Sequence, residues 1–231
     1  MINYLVLDIE NNSSEQSKKL GCKVGSPLIG DELVAIGLKN PEELVTKYIY
    51  PDVVKEFVIC EKLLVGHNLG HDLLWFWHLT DLQDFFKGGG RIWDTMIVEY
   101  LVTAQQSKYA SLRELAVTKY GCSEREKIME KYWEQGINTS EIPKELVLED
   151  VKNDVLDTEQ IFLKQYEEVQ KLGLMNFIED QMDARCATIE MQYNGMNVNL
   201  ETLNQNHIRL ENDYQILYEK ILQQTKGYWH E

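Results

Sequence analysis

Tyr4-Leu5-Val6-Leu7-Asp8-Ile9-Glu10-Asn11 is the stretch whose reading decides the fold. An apolar run of strand formers ends in two carboxylates two residues apart, and the two-residue period of a strand puts both on one face. Asp8 and Glu10 therefore converge. Neighbouring carboxylates repel unless one is protonated or a cation lies between them, so a hard divalent metal is the ready explanation. An isolated Asp-x-Glu is more often the acidic end of a solvated strand. The case for a site depends on whether further oxygen ligands arrive at the same place.

Composition bounds the problem. A chain of 231 residues with 44% hydrophobic content holds one domain of ordinary size and part of another, with a real core. No apolar run reaches membrane-spanning length and the N-terminus lacks the regions of a signal peptide, so no membrane partner is expected and the location expected is cytoplasmic. Cys22, Cys60, Cys122 and Cys186 are far apart, without zinc or redox spacing, and read as thiols. A net charge of -15 argues against broad electrostatic attraction to nucleic acid, so any such contact must be local or helped by another domain.

Residues 11–31 are polar and broken by Gly21, Gly25 and Pro27, which reads as a loop. Residues 33–38 form a second strand, antiparallel to the first, 47–50 a third, and 53–59 a helix. Residues 63–68 read as a buried strand entering a turn, and the alternation predicts a mixed α/β sheet. Asn68 and Asp72, four apart at a strand-to-helix junction, share one face of a helix that begins there. Each has an ordinary explanation: Asn68 as a cap, Asp72 as a first-turn acid favoured by the helix dipole. His67 and His71, beside an aromatic run, fit core or surface better than metal ligation, and Trp75, Phe76, Trp77 and Phe86 read as core.

Asp94 caps a helix carrying Ile97, Leu101 and Val102, and residues 111–120 form another that stops at Gly121. Residues 124–135 predict a charged surface helix with Ile128 and Trp133 turned inward. A long helix starts at Ile142-Pro143 and carries Asp150, Asp154 and Asp157 along one stripe, beside an apolar face of Val151, Val155 and Ile161. A run of acids on a helix is commonly a solvated face, but this one borders packed structure.

The phrases "VLDIEN", "VGHNLGHDLLWF", "IWDT", "SLRELAVTKYG" and "KNDVLDTEQIF", in this order and spacing, resemble the motifs of the DEDD 3'-5' exonucleases. The likeness is to proofreading domains of A-family DNA polymerases, especially phage ones, and covers about residues 2–178. "ATIEMQYNGMNVNLETL" is similar to the segment leading into the polymerase thumb. The resemblance implies a ribonuclease H-like mixed sheet flanked by helices over 1–178, then a C-terminal helical hairpin over 179–231. It implies Asp8, Glu10, Asp72 and Asp154 as ligands of two Mg2+ or Mn2+ ions, and Asn68 as a contact to the terminal nucleotide. Asp8 is expected to bridge both ions, with Glu10 and Asp154 completing the first site and Asp72 the second. The activity implied is removal of nucleotides from single-stranded or frayed DNA 3' ends, with RNA trimming and a non-enzymatic docking module as alternatives. A phage origin would place the protein in host cytoplasm.

In that family a tyrosine or histidine stands four residues before the last aspartate, and a threonine often follows it by four. Asp154 with Thr158 fits the threonine spacing, and Asp157 does not. The tyrosine position is then Asp150, a departure that puts the orientation of the attacking water in question and makes Asp150 a candidate catalytic residue. Beyond Asp180, Leu203, His207, Leu210, Tyr214, Leu217 and Ile221 repeat in steps of four and three, a coiled-coil-like seam. The partner expected is a polymerase portion, in cis or trans, or a second copy through 203–221.

Overall fold

In the computed structural model, which describes residues 2–19, 25–50, 62–80, 82–106, 108–122 and 128–225, the opening apolar run is strand β1 (Leu5–Asn11), central in a five-stranded sheet. Leu5, Val6, Leu7 and Ile9 are all buried, as befits a central strand covered on both faces. Only the acidic end departs from that pattern. The segment expected as loop holds a short helix, α1 (Glu15–Lys19), and a 3-10 turn at Pro27–Ile29. Buried Asp31 organises it, accepting the Ser17 hydroxyl and the backbone N–H groups of Ser14 and Ser26.

Strands β2 (Leu33–Lys39) and β3 (Leu44–Tyr48) complete an antiparallel meander with β1, the third strand starting and ending earlier than its pattern predicts. The helix expected at 53–59 lies outside the described residues. Strand β4 (Leu63–Gly66) runs parallel to β1 and leads into helices α2 (Gly70–Leu79) and α3 (Leu82–Lys87). Strand β5 (Arg91–Asp94), parallel to β4, closes the order β3-β2-β1-β4-β5. The sequence reading missed α3 and β5, each too short to show a period before Gly and Asp punctuation.

Asp94 then caps α4 (Thr95–Val102), accepting the N–H of Met96 and Ile97, as its sequence position predicts. Helices α5 (Leu112–Thr118), capped by Ser111, and α6 (Ile128–Glu134) follow. On α6 the inward residue is Met129, whereas Trp133 is 42% exposed, contrary to its expected core position. Helix α7 (Lys144–Leu172) packs across β1, β2, β3 and β4, burying Val147, Val151, Val155, Ile161, Phe162 and Val169. Gly37 permits that approach, since a Cβ there would stand 2.4 Å from Val151 Cγ1.

Helix α8 (Met175–Asn194) buries Ile178, Met182 and Ile189 in the main core. The chain divides into two compact units, Met1–Tyr193 and Asn194–Glu231. In the second, Gly195 takes a left-handed conformation and Asn199 caps α9 (Leu200–Gln224), whose residues are none of them buried. Cys122 and Cys186 carry thiols; Cys22 and Cys60 lie outside the described residues. No helix among the described residues is long and apolar enough to cross a membrane.

Candidate metal centre

The centre is built where β1 meets α7. Asp8 pairs with Gly37 and Glu10 with Ala35 across the antiparallel β1/β2 ladder. Directly opposed residues share a sheet face, so both carboxylates stand on the side where Val151 and Val155 of α7 meet Gly37. Asp150 and Asp154 flank those valines on the helix, which turns their stripe toward the acidic end of β1. One oxygen from each of Asp8, Glu10 and Asp154 comes within 4.8 Å of the others.

Asp72 stands outside that triplet but near enough to act on it. It is buried on the first turn of α2, with the backbone amides of its own residue and Ile9 favouring its charge. Burial is the main cause that pushes the Asp8, Glu10 and Asp72 carboxyls well above the carboxylate range. For Asp8 the charges of Asp154, Asp72, Glu10 and Asp150 add to it; for Glu10, those of Asp150, Asp154 and Asp72. Asp8 Oδ2 is buried without a hydrogen-bond partner among the described residues, an acceptor arranged for something other than a protein donor.

Asp157 lies farther along the stripe and, among the described residues, takes no part in the triplet. Asp150 and Asp154 both border a cavity of about 450 Å³ that Glu10, Ser111, Arg113, Met129 and Trp133 also line. Sequence reasoning overlooked Arg113 and sent Trp133 to the core. The available signal was a lone arginine in a helix with apolar Leu112, Leu115 and Ala116, in a chain of -15 net charge.

Asn68 does not share a helical face with Asp72, because the helix begins after it. Asn68 has φ 55°, in the left-handed region, and an exposed side chain, and its N–H donates to Asp94 Oδ1 at 3.0 Å. Its carbonyl accepts the N–H of His71. Asp94 thus holds both the entrance to α2 and the start of α4. The histidines are structural. His67 Nδ1 and Nε2 contact Thr95 Oγ1 and the Ala110 carbonyl, and burial holds its pKa down to about 4. His71 Nε2 meets Asn11 Oδ1 at 3.0 Å.

These residues fit a hard divalent cation: the donors are all carboxylate oxygens, their charges repel without a counter-ion, and one acceptor is orphaned. No protein-family model and no curated protein sequence matches the chain. Among solved structures it is similar to Brucella melitensis NrnC bound to pGG, at 12% identity and TM-score 0.55, over 84% of this chain and 87% of that one. Brucella melitensis NrnC with bound Mg2+ is similar at 13% identity and TM-score 0.54, over 86% and 90%. A nuclease in its apo form is similar at 11% identity and TM-score 0.55, over 85% and 88%. Together with the sheet order, these likenesses establish a ribonuclease H-like fold shared with nucleases, a five-stranded mixed sheet flanked by helices.

Proposed function

We propose that the protein is a metal-dependent 3'-5' exonuclease acting on single-stranded or frayed nucleic-acid 3' ends, with DNA as the first substrate to test. The observation that carries this is the Asp8, Glu10 and Asp154 triplet, with Asp72 beside it, on a ribonuclease H-like frame. Asp8, Glu10 and Asp154 would hold one Mg2+ or Mn2+, and Asp8 and Asp72 a second. When bound, such ions lower the pKa of water and stabilise the leaving 3'-oxygen. The chain's own residues position the phosphate: α7 and β1 fix the carboxylates, and Asn68, held in place by Asp94, reaches toward the terminal nucleotide. Asp150 stands one turn before Asp154, where a longer tyrosine or histidine would orient the attacking water; its shorter side chain does not reach that water directly, so slow hydrolysis is expected.

Digestion of 3'-extended, 5'-end-labelled single-stranded DNA, in magnesium and in EDTA, tests the proposal. A ladder shortening from the 3' end in magnesium alone is the expected result. Intact strands in both conditions, with no two-ion binding by calorimetry, would instead support the non-enzymatic docking reading. The RNA alternative has a specific observation behind it, the likeness to NrnC bound to pGG, and a matched RNA strand decides it by relative rate. On α9 the exposed Leu203, Leu210, Tyr214, Leu217 and Ile221 support association through 203–221, which concentration-dependent light scattering tests.

A further inference from the structure

Two cavities, of about 450 and 180 Å³, border Asp150 and Asp154, and among their described lining residues Arg113 is the only basic side chain. It lines both. Around it stand Glu10, Glu114, Glu130, Glu149, Asp150, Asp154 and Asp157, a wall of one sign. Arg113 is half-buried, and its Nη1 is wholly buried with no hydrogen-bond partner among the described residues. A buried guanidinium N–H without an acceptor is costly, and such a group in a folded protein calls for an explanation. The larger cavity has the volume of a small-ligand site and an apolar wall from Leu112, Met129 and Trp133. Trp133 is held by its indole N–H, which donates to Thr139 Oγ1 at 3.2 Å, and leaves 42% of its surface exposed.

We propose that Arg113 is a phosphate-binding residue of this centre, taking a backbone phosphate of the strand whose 3' end lies over Asp8, Glu10 and Asp154. The inference rests on the exonuclease reading above and deepens it. A polyanion approaching clustered carboxylates is repelled, and a fork of fixed N–H donors is the side chain best suited to draw a phosphodiester in and orient it. Lysine could supply the charge but not the two-pronged geometry.

The test uses the full chain, a 5'-labelled single-stranded oligonucleotide in magnesium, and the variants Arg113→Ala and Arg113→Lys. Arg113→Ala is expected to raise KM about tenfold or more, the worth of hydrogen bonds to a charged group, with a smaller change in kcat. The slope of log(kcat/KM) against log salt should become shallower by about 0.7, one phosphate contact on a single strand. Arg113→Lys should restore the slope but only part of the KM. If Arg113→Ala does not fold, the Lys variant still reads the proposal, since unchanged KM there removes the need for the fork. Wild-type KM and salt slope in Arg113→Ala, with wild-type cleavage present, would overturn the inference alone. Wild-type protein that neither binds nor cuts the oligonucleotide would overturn it together with the exonuclease reading.

Discussion

Gly37→Ala probes how the centre is assembled. A Cβ at this position would lie 2.4 Å from Val151 Cγ1, 2.9 Å from Val155 Cγ1 and 3.1 Å from the Val151 carbonyl oxygen. Carbon atoms in contact rest about 3.5–4.0 Å apart, so Val151 would have to retreat by more than about 1 Å. A β-branched side chain in a helix has one favoured rotamer and cannot fold aside. Helix α7 must lift instead. Overpacking of this kind costs about 1–3 kcal/mol, and the stiffer unfolded chain returns about 0.4–1 kcal/mol. The net loss, about 1–2 kcal/mol, lowers the melting temperature by about 2–8 °C for a unit of this size. Metal binding should suffer more than folding, because Asp154 rides on α7 while Asp8 stands opposite Gly37 on β1. Calorimetric Mn2+ affinity is expected to fall about tenfold or more, as when groups that orient ligands are disturbed. Val151→Ala in the same chain should recover part of both losses, a coupling of about 0.5–3 kcal/mol. A Gly37→Ala protein that melts and binds metal like the parent refutes the argument.

Asp8→Ala and Asp154→Ala should abolish nuclease activity while leaving the metal-free melting temperature unchanged or higher, because each removes a charge from a repelling cluster; retained cleavage, or loss only in Asp157→Ala, would show the wrong ligands were chosen. The His67 imidazole, held down to about 4 in the fold, takes its proton earlier in the unfolded chain, at about 6.5. Stability is therefore lost as pH falls from about 6.5 through about 4, by up to about 3 kcal/mol, and His67→Gln should flatten the melting-temperature profile across that window; an unaltered profile disproves it. Asp150→Tyr should raise the cleavage rate on single-stranded DNA about tenfold or more. Unchanged or slower turnover would mark Asp150 as a working base.

The parts of this molecule legible in sequence are those with a period. The Tyr4–Asn11 alternation of apolar residues and acids placed Asp8 and Glu10 on one face, and the valines at 147, 151 and 155 marked the buried side of α7. The choice of Asp154 over Asp157 came from a spacing to Thr158, and the structure brings Asp154 to the triplet. Short elements escaped because four or six residues show no period: β5 becomes evident only from its pairing with β4. The helical face expected to join Asn68 and Asp72 failed for a related reason. The left-handed backbone of Asn68 starts the helix one step late, and nothing local in "GHNLGHD" distinguishes a cap from the residue before one. Trp133 and Arg113 are tertiary facts, since which side of a seven-residue helix faces a cavity depends on what packs behind it.

The same helix supplies the stability and the strain. At 4.8 Å or less, two full carboxylate charges repel by roughly 3–4 kcal/mol even at an effective dielectric of about 20. Three such pairs would approach the whole stability of an ordinary domain, about 5–15 kcal/mol. Protonation relieves that load, and burial together with mutual repulsion pushes the Asp8 and Glu10 carboxyls in that direction. The fully buried Val147, Val151 and Val155 keep α7 seated while this happens. Any proton the cluster holds must leave when a divalent ion binds, because only ionised carboxylates serve as ligands. The expected signature is a binding enthalpy at neutral pH that differs between buffers in proportion to their ionisation heats, with affinity rising as pH is raised. Calorimetry in two buffers of contrasting ionisation heat measures it, and identical enthalpies would mean that the cluster is already ionised and that some other cation neutralises it.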